Sequence, residues 1–305
     1  MRMKRTSGRG IYSFSDRCVH YVMFVMLALL AFSCLYPFLL ILSASFQTQE
    51  SIYANGYRIF ADKYTLETYK LIIKKQEVLI NAYTITIITT VLTTIIGVVS
   101  VSGCGYVISR RDYKYNKVLT FYIFFTMLFS GGLTPTYIII TRWLGLKNSI
   151  WALVLPLCCS AWNIMLMKGF FVSIPTSLIE SAKVDGAGEF LIFSKIVIPL
   201  AKPAVATITL FLVLGGWNDY QQSMLYLDDD KFVKLQYLLV KIMKNIEFLN
   251  SEEAFKYGVI TEKIDVPTLG ARMAMCVLSA GPIVAVFPFF QKYFTKGLTI
   301  GSVKG

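Results

Sequence analysis

The chain has 305 residues, of which 55% are hydrophobic and only 16% charged, with a net charge of +12 and a mean hydropathy of +0.59. A soluble globular domain carries about 25% charged residues, and here the deficit is concentrated in long apolar runs, which excludes an ordinary soluble domain. The basic residues form short clusters between those runs, not one continuous face, which argues against a nucleic-acid-binding surface.

The first 18 residues form a basic tail with Arg2, Lys4, Arg5, Arg9 and Arg17. The apolar run from about Val19 to Ala44 is too long for a signal-peptide core and is read as a retained spanning helix. Crossing a bilayer takes about 20 mostly apolar residues. Segments of that length lie near 19–45, 79–108, 118–140, 149–171, 203–226 and 272–294. This predicts an all-α, polytopic membrane protein with six transmembrane helices. The link Arg110–Lys117 is dense in positive charge, as is the N-terminal tail. Both are expected on the cytoplasmic side, and an even number of spans brings the C-terminus inside as well.

Within span two, Thr89, Thr93 and Gly97 recur every four residues. Small residues at that spacing let helices approach closely. Span three ends in Ser130-Gly131-Gly132-Leu133-Thr134-Pro135, where two glycines and a proline must break or kink a helix. Irregular backbone at membrane depth survives only against protein or a water cavity, so Gly131 and Gly132 point to the substrate path. The outer loops 46–78 and 227–271 are rich in aromatic and charged residues and are expected to fold as caps or docking surfaces.

Between spans four and five lies an amphipathic insertion, 174–202, much longer than the 2–8 residues that usually join helices. Ser177, with Glu180 three residues on, offers a capping box. Leu178, Ile179 and Ala182 share a face. Gly186 can take positive φ and end the helix, and Gly188 adds a second break. Helical spacing resumes from Phe190 to Val197, Pro199 is expected to stop it, and Pro203 suits the first turn of span five. Such an exposed helix, with Ala182, Gly186 and Ala187 allowing close approach, either seats in a partner's groove or is a surface turn without a partner.

Cys18, Cys34, Cys104, Cys158, Cys159 and Cys276 lie in or beside apolar runs, with neither metal-ligand spacing nor the pattern of a disulfide framework. The single histidine, His20, leaves little for metal or triad chemistry. Phosphate-loop, HExxH and Gly-x-Ser-x-Gly motifs are absent. The expectation is therefore no enzyme activity, no metal and no cofactor of the chain's own. An ion-coupled secondary transporter usually carries acidic or histidine relays inside the membrane; among the spans, Asp219 near the end of span five is the exception. Ion-coupled transport and a membrane scaffold are the alternatives kept.

The insertion resembles the cytoplasmic signature of ABC importer permeases: Glu-Ala-Ala, three residues, Gly, nine residues, Ile, one residue, Leu-Pro. Here Glu180-Ser181-Ala182, Gly186, Ile196 and Ile198-Pro199 stand at those spacings, departing at Ser181 and Ile198. Phe129–Tyr137, Trp217-Asn218-Asp219-Tyr220 and the ending Gln291–Gly305 are similar to stretches of the polysaccharide and oligosaccharide permeases, the smaller maltose-type subunit included. The resemblance implies a MetI-like permease fold over 19–296, with a coupling loop at 174–202 and a cytoplasmic tail at 297–305. It implies uptake of a carbohydrate, more narrowly an oligosaccharide, across a bacterial plasma membrane. Expected partners are a second homologous permease, an ABC ATPase dimer that holds the ATP and Mg, an extracellular solute-binding protein and membrane lipid. Glu180, Ser181, Ala182, Asp185, Gly186, Ala187, Ile196 and Pro199 would couple to the ATPase, with Glu180 capping its own helix or pairing with a basic residue of that partner. Gly301, Ser302, Val303, Lys304 and Gly305 would reach into the ATPase dimer. Sugar sites use aromatic faces and amides, which makes Asn163, Trp217 and Asn218 candidates for the substrate path.

Overall fold

A computed structural model describes residues 14–73, 76–249 and 268–301. These fall into two compact units, one holding residues 14–70 and 268–277, the other 71–73, 76–249 and 278–301. Among the described residues the regular structure is helical, with one isolated antiparallel bridge between Gln47 and Tyr64.

In the first unit, α1 (Phe14–Ala44) is apolar on every side, and large side chains such as Phe24, Leu30 and Phe38 are exposed along it. A helix hydrophobic all round belongs in lipid or against other protein. At its end the chain folds back on itself. The Ser43 hydroxyl donates to Ile59 O at 2.5 Å, and the buried Gln47 amide donates to Arg58 O. Thr48 caps α2 (Gln49–Asn55), accepting from the Ser51 N–H, and Phe46 stacks on Tyr69 near the start of α3 (Glu67–Ile73). The described residues of 46–78 are thus structured by short helices and side-chain hydrogen bonds.

The second unit is built around α4 (Gln76–Ser109). Packed on it are α7 (Ile150–Cys158), α8 (Ala161–Val172), α12 (Lys202–Asn218) and α14 (Leu235–Leu249). Thr89, Thr93 and Gly97 form a buried face of α4, as their spacing predicted. Thr86 and Thr89 return their hydroxyls to the carbonyls of Ala82 and Ile85, four residues back, which hides polar atoms within an apolar interface. At Gly97 an added methyl would lie 2.8 Å from Leu212 and 2.9 Å from the Cys158 carbonyl, so only glycine fits this crossing.

Among the described residues, one whole helix and parts of two pass the length-and-apolarity requirement unbroken: Gln76–Ser109 (α4), Cys18–Ala44 within α1 and Leu269–Phe289 within α15 (Thr268–Gly301). The other three expected spans are each a pair of helices that passes the same requirement only together, bent at a break; for the fifth the pair is Glu189–Leu200 with Lys202–Asn218, bent by 84°. Span 118–140 divides into α5 (Asn116–Leu128) and α6 (Leu133–Ile138), the latter continued by a π-helical turn to Trp143, with a bend of 113°. Gly132, at φ +90°, is the break that the two glycines and Pro135 predicted. Span 149–171 bends by 43° between α7 and α8, where Cys159 and Ser160 take extended conformations just beyond Pro156, which donates no backbone hydrogen bond. Span 203–226 stops at Asn218. Asp219 accepts the Gln222 N–H at 3.2 Å and so starts a separate helix, α13 (Gln221–Tyr226).

The insertion forms α9 (Thr176–Val184), α10 (Glu189–Ile192), a π-helical turn Phe193–Val197 and α11 (Ile198–Leu200). Two local expectations are corrected. The capping box is not used: Pro175 precedes a helix that already begins at Thr176, without a side-chain cap, because the proline ring sets the entry of the chain. Nor does Pro199 stop the helical run. The π turn leads into α11 through Pro199, and the chain turns by 84° only at Ala201, before α12 opens with Pro203 in its first turn.

Candidate coupling site and substrate path

At one end of the second unit, α9 closes with a Schellman motif. Gly186, at φ +80°, donates its N–H to Lys183 O at 3.0 Å, and Ala187 donates to Ala182 O at 2.9 Å. These are the two bonds that satisfy the last carbonyls of a helix, and only glycine adopts that φ without strain. Ala187 packs against the core that buries Ala182, supplying the hydrophobic contact that usually accompanies the motif. The amphipathic face thus divides cleanly. Ile179 and Ala182 are buried with Ile192 and Val197 against Tyr106 and Phe171, while Leu178 is turned outward.

The sequence candidates separate accordingly. Glu180, Ser181, Asp185, Gly186 and Pro199 are exposed, Ala187 and Ile196 half-buried, and Ala182 fully inward, where it packs the chain's own core. Beside them Val184 and Phe190 are 88% and 80% exposed, large apolar side chains flanking the turn. Sequence reading left both out of the contact set, although apolar residues next to a predicted glycine turn were the available signal. Of the tail, Gly301 ends α15, and Ser302, Val303, Lys304 and Gly305 lie outside the described residues.

A charged network joins this segment to the end of α4. Lys183 Nζ lies 2.6 Å from Asp112 Oδ2 and 2.8 Å from Glu189 Oε1. Arg110 Nη2 lies 2.8 Å from Asp112 Oδ2 and 3.6 Å from Glu189 Oε1, and the Tyr106 hydroxyl donates to Glu189 Oε2 at 2.5 Å. The Lys183 hydrogen bond, aided by Arg110 against partial burial, brings the Asp112 carboxyl down to about 2. The same bonds to Asp112 and Glu189 raise Lys183 above its ordinary value. Spacing could not disclose this, because the partners stand some seventy positions apart in the sequence, at 112 and 183.

Toward the other end of the helices, Trp217 and Asn218 come together with two residues the sequence did not single out. The buried Trp217 indole donates to Ser279 O at 3.0 Å. Gln236 donates to Asn218 Oδ1 at 3.3 Å and to Ser279 Oγ at 2.5 Å. Trp217 also borders an apolar cavity of about 320 Å³, lined by Ile87, Val91 and Ile95 of α4 and by Pro282 and Ile283 of α15. Asn163 is buried on α8, and Gly131 and Gly132 are exposed at the α5–α6 break. Close by Trp217, Lys234 is fully buried and pairs with Asp219 at 3.0 Å while donating to Gly216 O at 2.7 Å. Burial lowers the Lys234 ammonium, and the charge of Asp219 and its hydrogen bond raise it. Among the described residues no three His, Cys, Asp or Glu side chains are gathered as a metal site would need.

Comparison with known proteins gives these positions a context. Residues 102–300 match the family of binding-protein-dependent transport system inner membrane components. The chain is 36% identical over 290 residues to the polygalacturonan/rhamnogalacturonan transport system permease protein YtcP of Bacillus subtilis, covering 95% of this chain and 99% of that one. It is 27% identical over 290 residues to the maltodextrin transport system permease protein MdxG of the same organism, covering 92% and 95%. Among solved structures it matches a chain of a bacterial ABC transporter that imports the acidic polysaccharide alginate, with a TM-score of 0.74 and 32% identity over 93% of this chain and 99% of that one. The matched region takes in α4's end, the broken helices, the Schellman turn and the network around it, and on that match the chain belongs to the binding-protein-dependent transport system inner membrane components, the membrane permease subunits of ABC importers.

Proposed function

We propose that this chain is one of two permease subunits of an importer that takes up oligosaccharides, with the exposed turn at Asp185–Gly188 as the point where a separate ATPase drives it. The observation that carries the reading is the Schellman turn itself. It presents Val184 and Phe190 to the surroundings while Ile179 and Ala182 anchor the same segment in the core. An exposed apolar tip on a firmly anchored base suits a lever seated in a partner's groove.

On this reading the end of the bundle bearing α9 faces the cytoplasm, as do both termini. An ATPase dimer holds ATP and Mg, and Ser302–Gly305 reach toward it. Glu180, exposed and not used in a capping box, is free to meet a basic residue of that partner. A solute-binding protein delivers substrate to the opposite face. A second permease and lipid cover the exposed sides of α1. The broken helices supply the irregular backbone that membrane depth tolerates only beside protein or a water-filled path, and the Trp217–Asn218–Gln236 group offers an aromatic ring and amides of the kind sugars use.

Carbohydrate as the substrate class rests on the relatives named for polygalacturonan/rhamnogalacturonan and maltodextrin transport. Two experiments test the assignment. Cysteine at Ser181, in a background without native cysteines, should cross-link to the ATPase with a yield that ATP changes; no cross-link anywhere on the ATPase surface would overturn the docking. Vesicles holding the whole complex should accumulate oligogalacturonides or maltodextrins only with binding protein and ATP present, and accumulation without ATP would favour ion coupling.

A further inference from the structure

Resting on the coupling role just proposed, we infer that Tyr106, Arg110 and Asp112 are positioning residues that clamp the α9–α10 segment to α4, so that a push on the turn moves α4 and the segment as one body.

Beyond its core packing at Ile179, Ala182, Ile192 and Val197 and its short chain link back to α8, the segment has two routes into the bundle. One is covalent, through α11 and Ala201 into α12, but it passes a π turn and an 84° bend. A sharp bend with irregular hydrogen bonding is a poor strut. The other is the network, which reaches α4 directly. Lys183 from the end of α9 and Glu189 from the start of α10 stand on either side of the Schellman turn, and their charged ends meet 2.8 Å apart. Asp112 and Arg110 close the group from the loop after α4, and Tyr106 closes it from α4 itself. Both ends of the turn are therefore held to the same helix.

Single exposed ion pairs hold little, but a network anchored on a less mobile member holds more. Here the anchors are Arg110, whose side chain is largely covered, and the Tyr106 ring, packed on Phe171 and Phe193. What is clamped matters as well. Helix α4 touches α7, α8, α12 and α14, including the close crossings at Gly97 and Gly105. A displacement delivered to α4 consequently reaches the helices packed on it directly, which is how rigid-body transitions spread through packed interfaces.

The experiment leaves the exposed tip, Val184 to Phe190, untouched. In the whole complex, with native cysteines replaced, spin labels at Val107 on α4 and Ser177 on α9 report the distance across the clamp. With the clamp intact the distribution should be narrow and the same with and without ATP. In a Tyr106→Phe/Asp112→Ala double variant, which keeps the ring and removes the Tyr106 hydroxyl and the Asp112 carboxylate, it should broaden and shift with ATP by about 2 Å, the scale of helix displacements at such interfaces. Asp112→Glu should restore the narrow distribution, and Lys183→Met, breaking the clamp from the other side, should reproduce the double variant. Fewer sugars should be imported per ATP hydrolysed in the broken variants, with subunits still co-purifying. A distribution that stays narrow and unresponsive to ATP in both broken variants would overturn the clamp. If instead the Ser181 cross-link to the ATPase fails in the intact protein, the coupling role itself falls, a separate outcome read by a separate measurement.

Discussion

Lys234 buries its whole side chain to place its ammonium 3.0 Å from the Asp219 carboxylate, itself only 7% exposed. The same amine satisfies Gly216 O, a carbonyl in the last turn of α12, and the neighbouring Leu235 N–H donates to Thr86 on α4 at 2.8 Å. The pair therefore pins the start of α14 to the place where α12 ends and meets α4.

Removing one partner of a buried ion pair strands the other and costs about 3–5 kcal/mol, whereas replacing both is far milder. Lys234→Met is accordingly expected to lower the melting temperature of the purified complex sharply. Adding Asp219→Asn, which keeps an oxygen to cap α13, should recover most of the loss. The shortfall should be about 1 kcal/mol, the worth of the hydrogen bond to Gly216 O. Thermal unfolding of the two variants side by side decides this, and equal melting temperatures would show that the charge pair is immaterial.

The crossing at Gly97 makes a second prediction. A methyl there meets the end of Leu212, which can move, and the Cys158 backbone oxygen, which cannot without shifting α7. Gly97→Ala should cost about 1–3 kcal/mol, the usual range for overpacking. Leu212→Ala in the same chain should relieve only part of it. Gly103, on the same helix with open space beside it, is the control: Gly103→Ala should leave stability unchanged or raise it slightly. Unfolding in detergent checks all three.

What the sequence made legible follows from which interactions are local. The Gly131–Pro135 break, the packing face of Thr89, Thr93 and Gly97, and the end of α9 at Gly186 depend on residues a few positions apart, and each stands where spacing placed it. The capping box at Ser177 failed because Pro175 decided the entry of the helix first. Uniformly apolar stretches hid the bend between α7 and α8, since apolarity alone does not distinguish one long helix from two. The Lys183–Asp112 contact and the burial of Lys234 are products of tertiary packing and left no periodic trace. Resemblance added the meaning of the 180–199 spacing, which on local chemistry alone is equally a surface turn.

The network responds to pH with a definite sign. Asp112 is held at about 2, below its ordinary 3.8, so its contribution to stability is fully present above about pH 4 and is lost as pH falls toward 2. Half of its side chain is exposed, so the effect is small and screened by salt. Unfolding of wild type and Asp112→Asn should differ modestly above about pH 4, converge by about pH 2, and differ less in 1 M salt at any pH. Curves that separate further on acidification would contradict the assignment.

Gly186 separates folding from docking. Its φ of +80° strains any L residue, by about 1–2 kcal/mol, yet nothing lies within 4 Å of where a Cβ would stand. Within the chain, Gly186→Ala and Gly186→Leu should therefore cost nearly the same stability, and Gly186→Asn less, because asparagine tolerates that conformation better. A partner's groove would tell alanine and leucine apart by size. If the turn docks, Gly186→Leu should depress substrate-stimulated ATP hydrolysis in the reconstituted complex well below Gly186→Ala at equal melting temperature. Should the two variants hydrolyse ATP alike while matching in stability, no surface closes on this turn, and the lever must engage its driver elsewhere on α9.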